Sequence, residues 1–179
     1  MITISESGMN FGPFDEESCF YIEKSELYLR VKQDAQTAEF LCLHEGKKGT
    51  RRILLVEAKS SSPRPETQPN FNEFLDEIVG KMLDSFSLFI AACLGRHEES
   101  KTNAIPAKFR ELNLGTADFH FVLVIRGHQK RWCVTLQEEL YKKLRPTIRK
   151  WALSPTAIAV INDADAQQQY GLITQSPNP

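Results

Sequence analysis

The chain has 179 residues, 41% of them hydrophobic and 25% charged, with a formal net charge of −1 and a pI near 6.4. These values are ordinary for a soluble globular protein and exclude a strongly basic chain that would bind nucleic acid by its overall charge. A local basic patch remains compatible with them. The length suits one domain over residues 1–174, followed by a flexible tail over residues 175–179.

Several sequence features predict a cytoplasmic protein. No apolar run approaches the roughly 20 residues that a membrane-spanning helix needs, and no signal segment begins at Met1. The four cysteines are widely spaced and form no C-x-x-C pair, which favours reduced thiols. They are Cys19, Cys42, Cys93 and Cys133.

The most informative stretch is an apolar run, residues 53–56, that leads directly into Glu57, Ala58 and Lys59. A short run of this kind predicts a mostly buried strand. Side chains alternate along a strand, so Glu57 and Lys59 continue a face that begins inside the core. Because partly buried charges are costly unless paired or bound to an ion, these residues form either a structural ion pair or a site.

The preceding segment, Thr37–His44, predicts a second strand, and Glu45–Thr50 between the two has the glycines and lysines of a turn. If the turn centres near Lys48, antiparallel pairing places Glu39 opposite Glu57 with Cβ atoms about 5 Å apart. Two carboxylates at that separation repel unless a proton or a cation lies between them. Oxygen ligands of this type suit Mg²⁺ or Mn²⁺.

An acidic residue at the start of a strand, a hairpin and then E-x-K at the end of an apolar strand resembles the PD-(D/E)xK nuclease superfamily, which has the restriction-endonuclease-like fold. The match is Glu39 followed by Glu57-Ala58-Lys59; it departs from the superfamily pattern in having Glu39 for the usual Asp and no preceding Pro. The resemblance implies catalytic roles for Glu39, Glu57 and Lys59. It also implies a Mg²⁺ or Mn²⁺ site formed by Glu39, Glu57 and the Ala58 carbonyl.

In that superfamily a glutamate on the first helix often completes the metal site, and the candidates here are Glu17, Glu23 and Glu26. The surrounding segment, Ser18–Val31, fits either a helix or a strand. We expect the first 14 residues to be irregular, although Met1–Ile4 could add an edge strand.

The rest of the chain alternates predicted helices and strands, which favours an α/β fold with a mixed sheet. The near-continuous apolar run that contains His120 suggests a strand in a central position, covered on both faces, and a structural role is favoured for His120. The segment 96–113 predicts a polar surface loop with a short helical turn. The predicted elements are a helix over Asn70–Gly95 capped by Asn70, a strand over Phe119–Arg126, a helix from Thr135 to about Arg145 that Pro146 kinks or breaks, and a strand over Ala157–Asn162.

Two basic regions are candidates for nucleic-acid contact. One is Arg64 in the Ser60–Pro69 loop, which borders the proposed site and could equally be an inert connector. The other is a helical cluster containing Lys142, Lys143 and Arg149, which could equally be a solvated face.

The sequence therefore favours a metal-dependent nuclease that hydrolyses phosphodiester bonds, with DNA as the substrate that the resemblance implies. The alternative is a catalytically inactive protein of the same fold that binds nucleic acid or protein. A third possibility is an unrelated α/β domain in which E-A-K is coincidental. A small domain of this type also suggests a homodimer or a protein partner, and a zinc site is not expected because the histidines and cysteines do not cluster.

Overall fold

The computed structural model of the protein describes residues 1–45, 51–97 and 105–174. Most of the predicted hairpin turn and the predicted tail lie outside the described residues. The strands are β1 (Ile2–Glu6), β2 (Met9–Phe14), β3 (Cys19–Phe20), β4 (Phe40–Glu45), β5 (Arg51–Lys59), β6 (Asp118–Ile125) and β7 (Ile158–Asn162). The helices are α1 (Glu26–Leu29), α2 (Asn70–Cys93), α3 (Ala107–Arg110), α4 (Lys130–Lys150) and α5 (Asp163–Gln168), with short 3₁₀ turns at Glu16–Ser18 and Ile22–Lys24.

A mixed five-stranded sheet in the order β3-β4-β5-β6-β7 forms the centre of the fold. Strands β3, β4 and β5 are antiparallel, whereas β5, β6 and β7 are parallel. Parallel neighbours need a crossover, and α2 and α4 lie in the two connecting segments. The predicted α/β class is therefore confirmed, and β6 lies inside the sheet between β5 and β7, although β5 is the middle strand.

The alternation of side chains along β5 separates two apolar cores. Ile53 and Leu55 pack with the apolar faces of α2 and α4 on one side of the sheet. Leu54 and Val56 pack on the other side with residues of the β1–β2 hairpin. Glu57 and Lys59 share the parity of Ile53, so their side chains lie on the helical side.

The expectation of an irregular first segment was wrong. β1 and β2 form an antiparallel hairpin joined by Ser7 and Gly8, which both have positive φ, 51° and 73°. This is the backbone of a type I′ turn, which matches the twist of paired strands. Phe11 is fully buried and packs edge-on against Phe40 with ring centroids 5.3 Å apart. The burial of Phe11 against Phe40 therefore attaches the hairpin to the five-stranded sheet.

The predicted helix boundaries need three corrections. Asn70 does not cap α2, because Pro69 occupies the N-cap position and no side chain bonds the first turn. α4 begins at Lys130, before the predicted start, and Pro146 lies inside it without ending it. Pro146 is exposed, while the buried stripe continues on both sides of it to Ile148, so packing on the sheet outweighs the lost hydrogen bond.

Two shorter segments differ from their predictions or settle a choice that the sequence left open. β4 begins at Phe40, so Glu39 immediately precedes the strand. Ser18–Val31, which the sequence left open between helix and strand, contains the short strand β3, a 3₁₀ turn and the single-turn helix α1.

The four cysteines are free, although Cys19 and Cys42 are direct cross-strand neighbours. Within the described ranges, no helix combines the length and the apolar character needed to cross a membrane.

Candidate active site

The predicted register of the β4–β5 hairpin is confirmed. The pairs run from Phe40 opposite Val56 to Glu45 opposite Arg51. Beyond the last pair, the Glu39 amide donates a hydrogen bond to the Val56 carbonyl at 3.0 Å. Glu39 and Glu57 therefore lie side by side at one end of the hairpin, as the sequence predicted.

The Glu57 side chain has no solvent exposure, and one of its two carboxylate oxygens forms ion pairs with two lysines. Its Oε1 atom lies 2.8 Å from the Lys81 ammonium and 3.3 Å from the Lys59 ammonium. Its Oε2 atom is buried and has no hydrogen-bond partner in the described part of the chain. An unpartnered buried carboxylate oxygen is costly, and this one is free to accept a proton or to bind a cation. Burial raises the pKa of Glu57, while Lys81 and Lys59 oppose that shift.

Glu39 is 6% exposed and is the most strongly perturbed carboxyl group of the site. Burial raises its pKa to about 8, with further contributions from the charges of Glu57, Glu23 and Glu6 and an opposing contribution from Lys81. Glu39 is therefore mostly protonated at neutral pH in the absence of a cation. A divalent ion beside it would offset the repulsion that adds to the effect of burial on this pKa.

Two further carboxylates complete an acidic cluster. Oxygen atoms of Glu6, Glu23 and Glu39 all lie within 4.8 Å of one another. The Tyr21 hydroxyl donates a hydrogen bond to Glu6, which orients that carboxylate. We refer to Glu6, Glu23 and Glu39 as the acidic cluster; Glu57 lies beside it, and its charge acts on Glu39.

Of the three N-terminal glutamates predicted as candidates, the structure brings Glu23 to the cluster. It belongs to a 3₁₀ turn rather than to a first helix. Glu17 instead accepts a hydrogen bond from the Ala107 amide at 2.8 Å. Glu26 is exposed in the first turn of α1. Glu6 was not predicted, because its segment was expected to be irregular.

The Ala58 carbonyl, a predicted metal ligand, accepts a hydrogen bond from the Ser7 hydroxyl at 3.0 Å. A carbonyl oxygen has a second lone pair, so this contact does not prevent a further ligand. The bond ties the β1–β2 turn to the end of β5. The turn and α2 therefore both contact this end of β5, the turn through Ser7 and the helix through the Lys81–Glu57 ion pair.

Sequence reasoning missed the two residues that α2 contributes to the site. Lys81 forms the shortest ion pair of Glu57, and Glu77 pairs with Lys59 at 2.6 Å. Glu77 and Lys81 are four residues apart and thus share a helix face. The sequence spacing indicates that Glu77 and Lys81 share a face of the helix, but it does not show that this face packs against Glu57.

The predicted nucleic-acid contacts separate into two places. Arg64 lines a cavity next to the end of β5. Lys142 and Lys143 are already paired, with Glu139 at 2.5 Å and with Asp76 at 2.6 Å. Arg149 is exposed in the last turn of α4. No contact among the described residues joins these three to the acidic cluster, and their role in binding stays a prediction.

The His120 ring lies 2.8 Å from an Asp118 carboxylate oxygen, which is the satisfied arrangement of a structural histidine.

Comparison of the chain with protein-family models, with curated proteins and with solved structures found no match. The function proposed below is therefore inferred from the residues of the site.

Proposed function

We propose that this protein is a Mg²⁺- or Mn²⁺-dependent nuclease with a restriction-endonuclease-like fold that hydrolyses phosphodiester bonds, with DNA as the first substrate to test. The observation that carries the proposal is the unpartnered, fully buried Oε2 of Glu57 beside the acidic cluster. Lys59 lies at the same end of β5, 3.3 Å from Glu57. The combination of paired carboxylates and an adjacent lysine is what the resemblance to the PD-(D/E)xK superfamily requires.

The residues present fit a hard divalent cation. Mg²⁺ and Mn²⁺ prefer carboxylate and carbonyl oxygens, and the site offers Glu39, Glu57 and the Ala58 carbonyl. Glu23 and Glu6 are near enough to Glu39 to hold bound water in place or to ligate. Burial is the main cause of the raised pKa of Glu39, and the charges of Glu57, Glu23 and Glu6 add to it, as is common where carboxylates gather at a functional site.

When bound, the ion would lower the pKa of a water molecule and neutralise charge on the scissile phosphate. The Lys59 ammonium would position the attacking water and stabilise the charge that develops on phosphate oxygens. Lys81 would keep Glu57 oriented through Oε1, leaving Oε2 for the metal. Burial lowers the pKa of Lys81, but Glu57, Glu39 and Glu77 outweigh that effect and raise it, so this side chain remains an ammonium.

One observation favours a second candidate function, that of a non-catalytic binding protein. Lys59 and Lys81 already supply two positive charges to Glu57, as they would in a purely structural ion network. In that case the partner would be nucleic acid, another protein or a second copy of the chain. Divalent-ion binding separates the two functions, because a structural network does not need it.

The test is cleavage of single- and double-stranded DNA and RNA with Mg²⁺ or Mn²⁺, comparing wild type with Lys59→Ala and Glu57→Gln. The matched control is Lys108→Ala, which removes an exposed lysine paired with Asp15 that belongs neither to the site nor to the predicted nucleic-acid contacts. Metal-dependent cleavage that both site variants lose and the control retains supports the nuclease. Cleavage that survives in Glu57→Gln, or no cleavage of any substrate together with no Mn²⁺ binding, contradicts it.

A further inference from the structure

A cavity of about 630 Å³ opens beside the candidate active site, where β5 and β6 end. Its walls are the loop that follows Lys59 and the segment from Arg126 into the start of α4. Ligands of α/β proteins commonly bind outside the carboxyl ends of parallel strands. The volume is within the range of pockets that hold one small molecule, and it suits one nucleotide rather than the face of a duplex.

Three arginines make the cavity attractive to phosphate. Arg64, Arg126 and Arg131 line it and are exposed. No carboxylate of the described residues forms an ion pair with any of them, in contrast to Lys142 and Lys143. Glu66 is the single acidic residue in the lining, so the cavity keeps an excess of positive charge. Guanidinium groups match the geometry of phosphate oxygens.

The same cavity presents an aromatic surface. Trp132 lines the cavity and is 38% exposed, so part of its ring surface is accessible to a ligand. The Arg131 guanidinium lies over its ring, 5.6 Å from the centroid, and the His128 ring meets it edge-on at 5.2 Å. Aromatic rings interleaved with arginine form the usual platform for unpaired bases, whose flat faces are covered in a duplex.

The floor of the cavity is held in place by hydrogen bonds. The Asn162 amide donates to the His128 carbonyl at 2.9 Å, and the Gly127 amide donates to Asp163 at 2.9 Å. The backbone of Gly127 and His128 is thus held in place before any ligand arrives, which lowers the entropic cost of binding.

The backbone connects this cavity to the proposed catalytic lysine. The Arg126 amide donates to the Lys59 carbonyl at 3.0 Å, and Ser60, the next residue, lines the cavity. The Arg126 guanidinium also packs under the β1–β2 turn, because a Cβ atom at Gly8 would lie 2.4 Å from its Nη1 atom. The backbone of Lys59 and Ser60 therefore links the proposed catalytic lysine to the rim of the cavity.

We propose that this cavity binds one unpaired nucleotide of a single-stranded nucleic acid or of a frayed end. Its base stacks on Trp132, and its phosphates contact Arg64, Arg126 and Arg131. The proposal deepens the nuclease function, on which its choice of ligand rests, by naming an unpaired strand as the form of substrate.

The experiment measures binding of a fluorescently labelled, 5′-phosphorylated oligothymidylate by anisotropy, in EDTA so that no cleavage occurs. Trp132→Ala and Arg131→Ala are compared with wild type and with Arg145→Ala, an exposed arginine of the same helix that does not line the cavity. In a Trp151→Phe background, fluorescence quenching reports stacking on Trp132 alone, because the chain has two tryptophans.

We expect Trp132→Ala and Arg131→Ala each to weaken binding about 10-fold, with little change for Arg145→Ala. Each lost arginine contact should also reduce the salt-dependence slope by about 0.7. Binding of a blunt duplex as tightly as the single strand, an equal loss in Arg145→Ala, or equal competition by inorganic phosphate would overturn the proposal. Binding that behaves as expected without any cleavage in Mg²⁺ would instead count against the nuclease function alone.

Discussion

Glu57 forms its shortest ion pair with Lys81, 24 residues further along the chain, and not with Lys59, its neighbour on the same strand face; the two distances are 2.8 and 3.3 Å. Helix α2 therefore supplies the main counter-charge of a carboxylate that the strand buries completely. Lys59 is shared between Glu57 and Glu77 and is about a fifth exposed. The two lysines thus have different surroundings, and we expect them to have different roles.

Lys81→Met should lower the free energy of unfolding by about 2–4 kcal/mol, because it leaves a buried carboxylate with one weaker partner. Urea unfolding at neutral pH measures the change. Lys143→Met is the matched control, since its partner Asp76 is largely exposed, and it should cost about 0–1 kcal/mol. A cost for Lys81→Met no larger than that of the control would show that Glu57 does not depend on Lys81. In a Glu57→Gln background the cost should shrink, which a double-mutant cycle detects.

The stability of the metal-free protein should fall as the pH rises toward alkaline values. The pKa of Glu39 is raised from its ordinary 4.5 to about 8, chiefly by burial and by Glu57. Between these values the folded protein keeps a proton that the unfolded chain has lost, so the free energy of unfolding decreases with pH. Glu39→Gln should therefore be more stable than wild type above pH 8, by about 1–3 kcal/mol, and lose that advantage near about pH 4.5.

Urea unfolding in EDTA across this pH range checks the prediction. Glu26→Gln serves as the control, because Glu26 is exposed and belongs to no cluster described in the structure, so its pH profile should match that of wild type. A Glu39→Gln profile parallel to that of wild type would show that Glu39 is ionised throughout and that the cluster is more solvated than its burial indicates.

The hairpin of the site was predictable because it depends on local rules. Side-chain alternation and a single turn determine which residues are opposite each other, and the register that places Glu39 beside Glu57 was confirmed. The interior position of β6 was predictable for a similar reason, since its residues from Phe121 to Ile125 are all apolar and must be covered on both faces.

The remainder of the site depends on long-range packing. The rotation of α2 about its own axis decides whether Lys81 reaches Glu57. The spacing of residues along the helix does not determine that rotation. The N-terminal hairpin was missed because Ser7 has a positive φ, which is uncommon for a residue other than glycine. Because the hairpin was not predicted, neither the position of Glu6 nor the hydrogen bond from Ser7 to the Ala58 carbonyl was predicted.

Pro146→Ala should stabilise the protein by about 1–3 kcal/mol, because Pro146 lies inside α4, lacks an amide hydrogen and crowds the preceding turn. Thermal unfolding measures the change as a higher Tm. Pro65→Ala, in the loop after β5, is the control and should leave stability unchanged or lower it by up to about 1 kcal/mol through the unfolded chain. A lower Tm for Pro146→Ala would show that the proline contributes contacts that outweigh its cost to the helix.

Binding of Mn²⁺ near neutral pH should release about one proton per ion, because Glu39 is mostly protonated before the ion arrives and must ionise to ligate it. Calorimetric titrations in buffers of different ionisation enthalpy measure the proton count. The apparent affinity should increase as the pH rises through about 8 and then level off, since Glu39 no longer has to be deprotonated. Glu39→Gln should abolish the proton release and Glu57→Gln should weaken binding, whereas Glu26→Gln should change neither. Tight binding without proton release, or with release that persists in Glu39→Gln, would place the ion elsewhere and leave Glu57 and its lysines as a structural network.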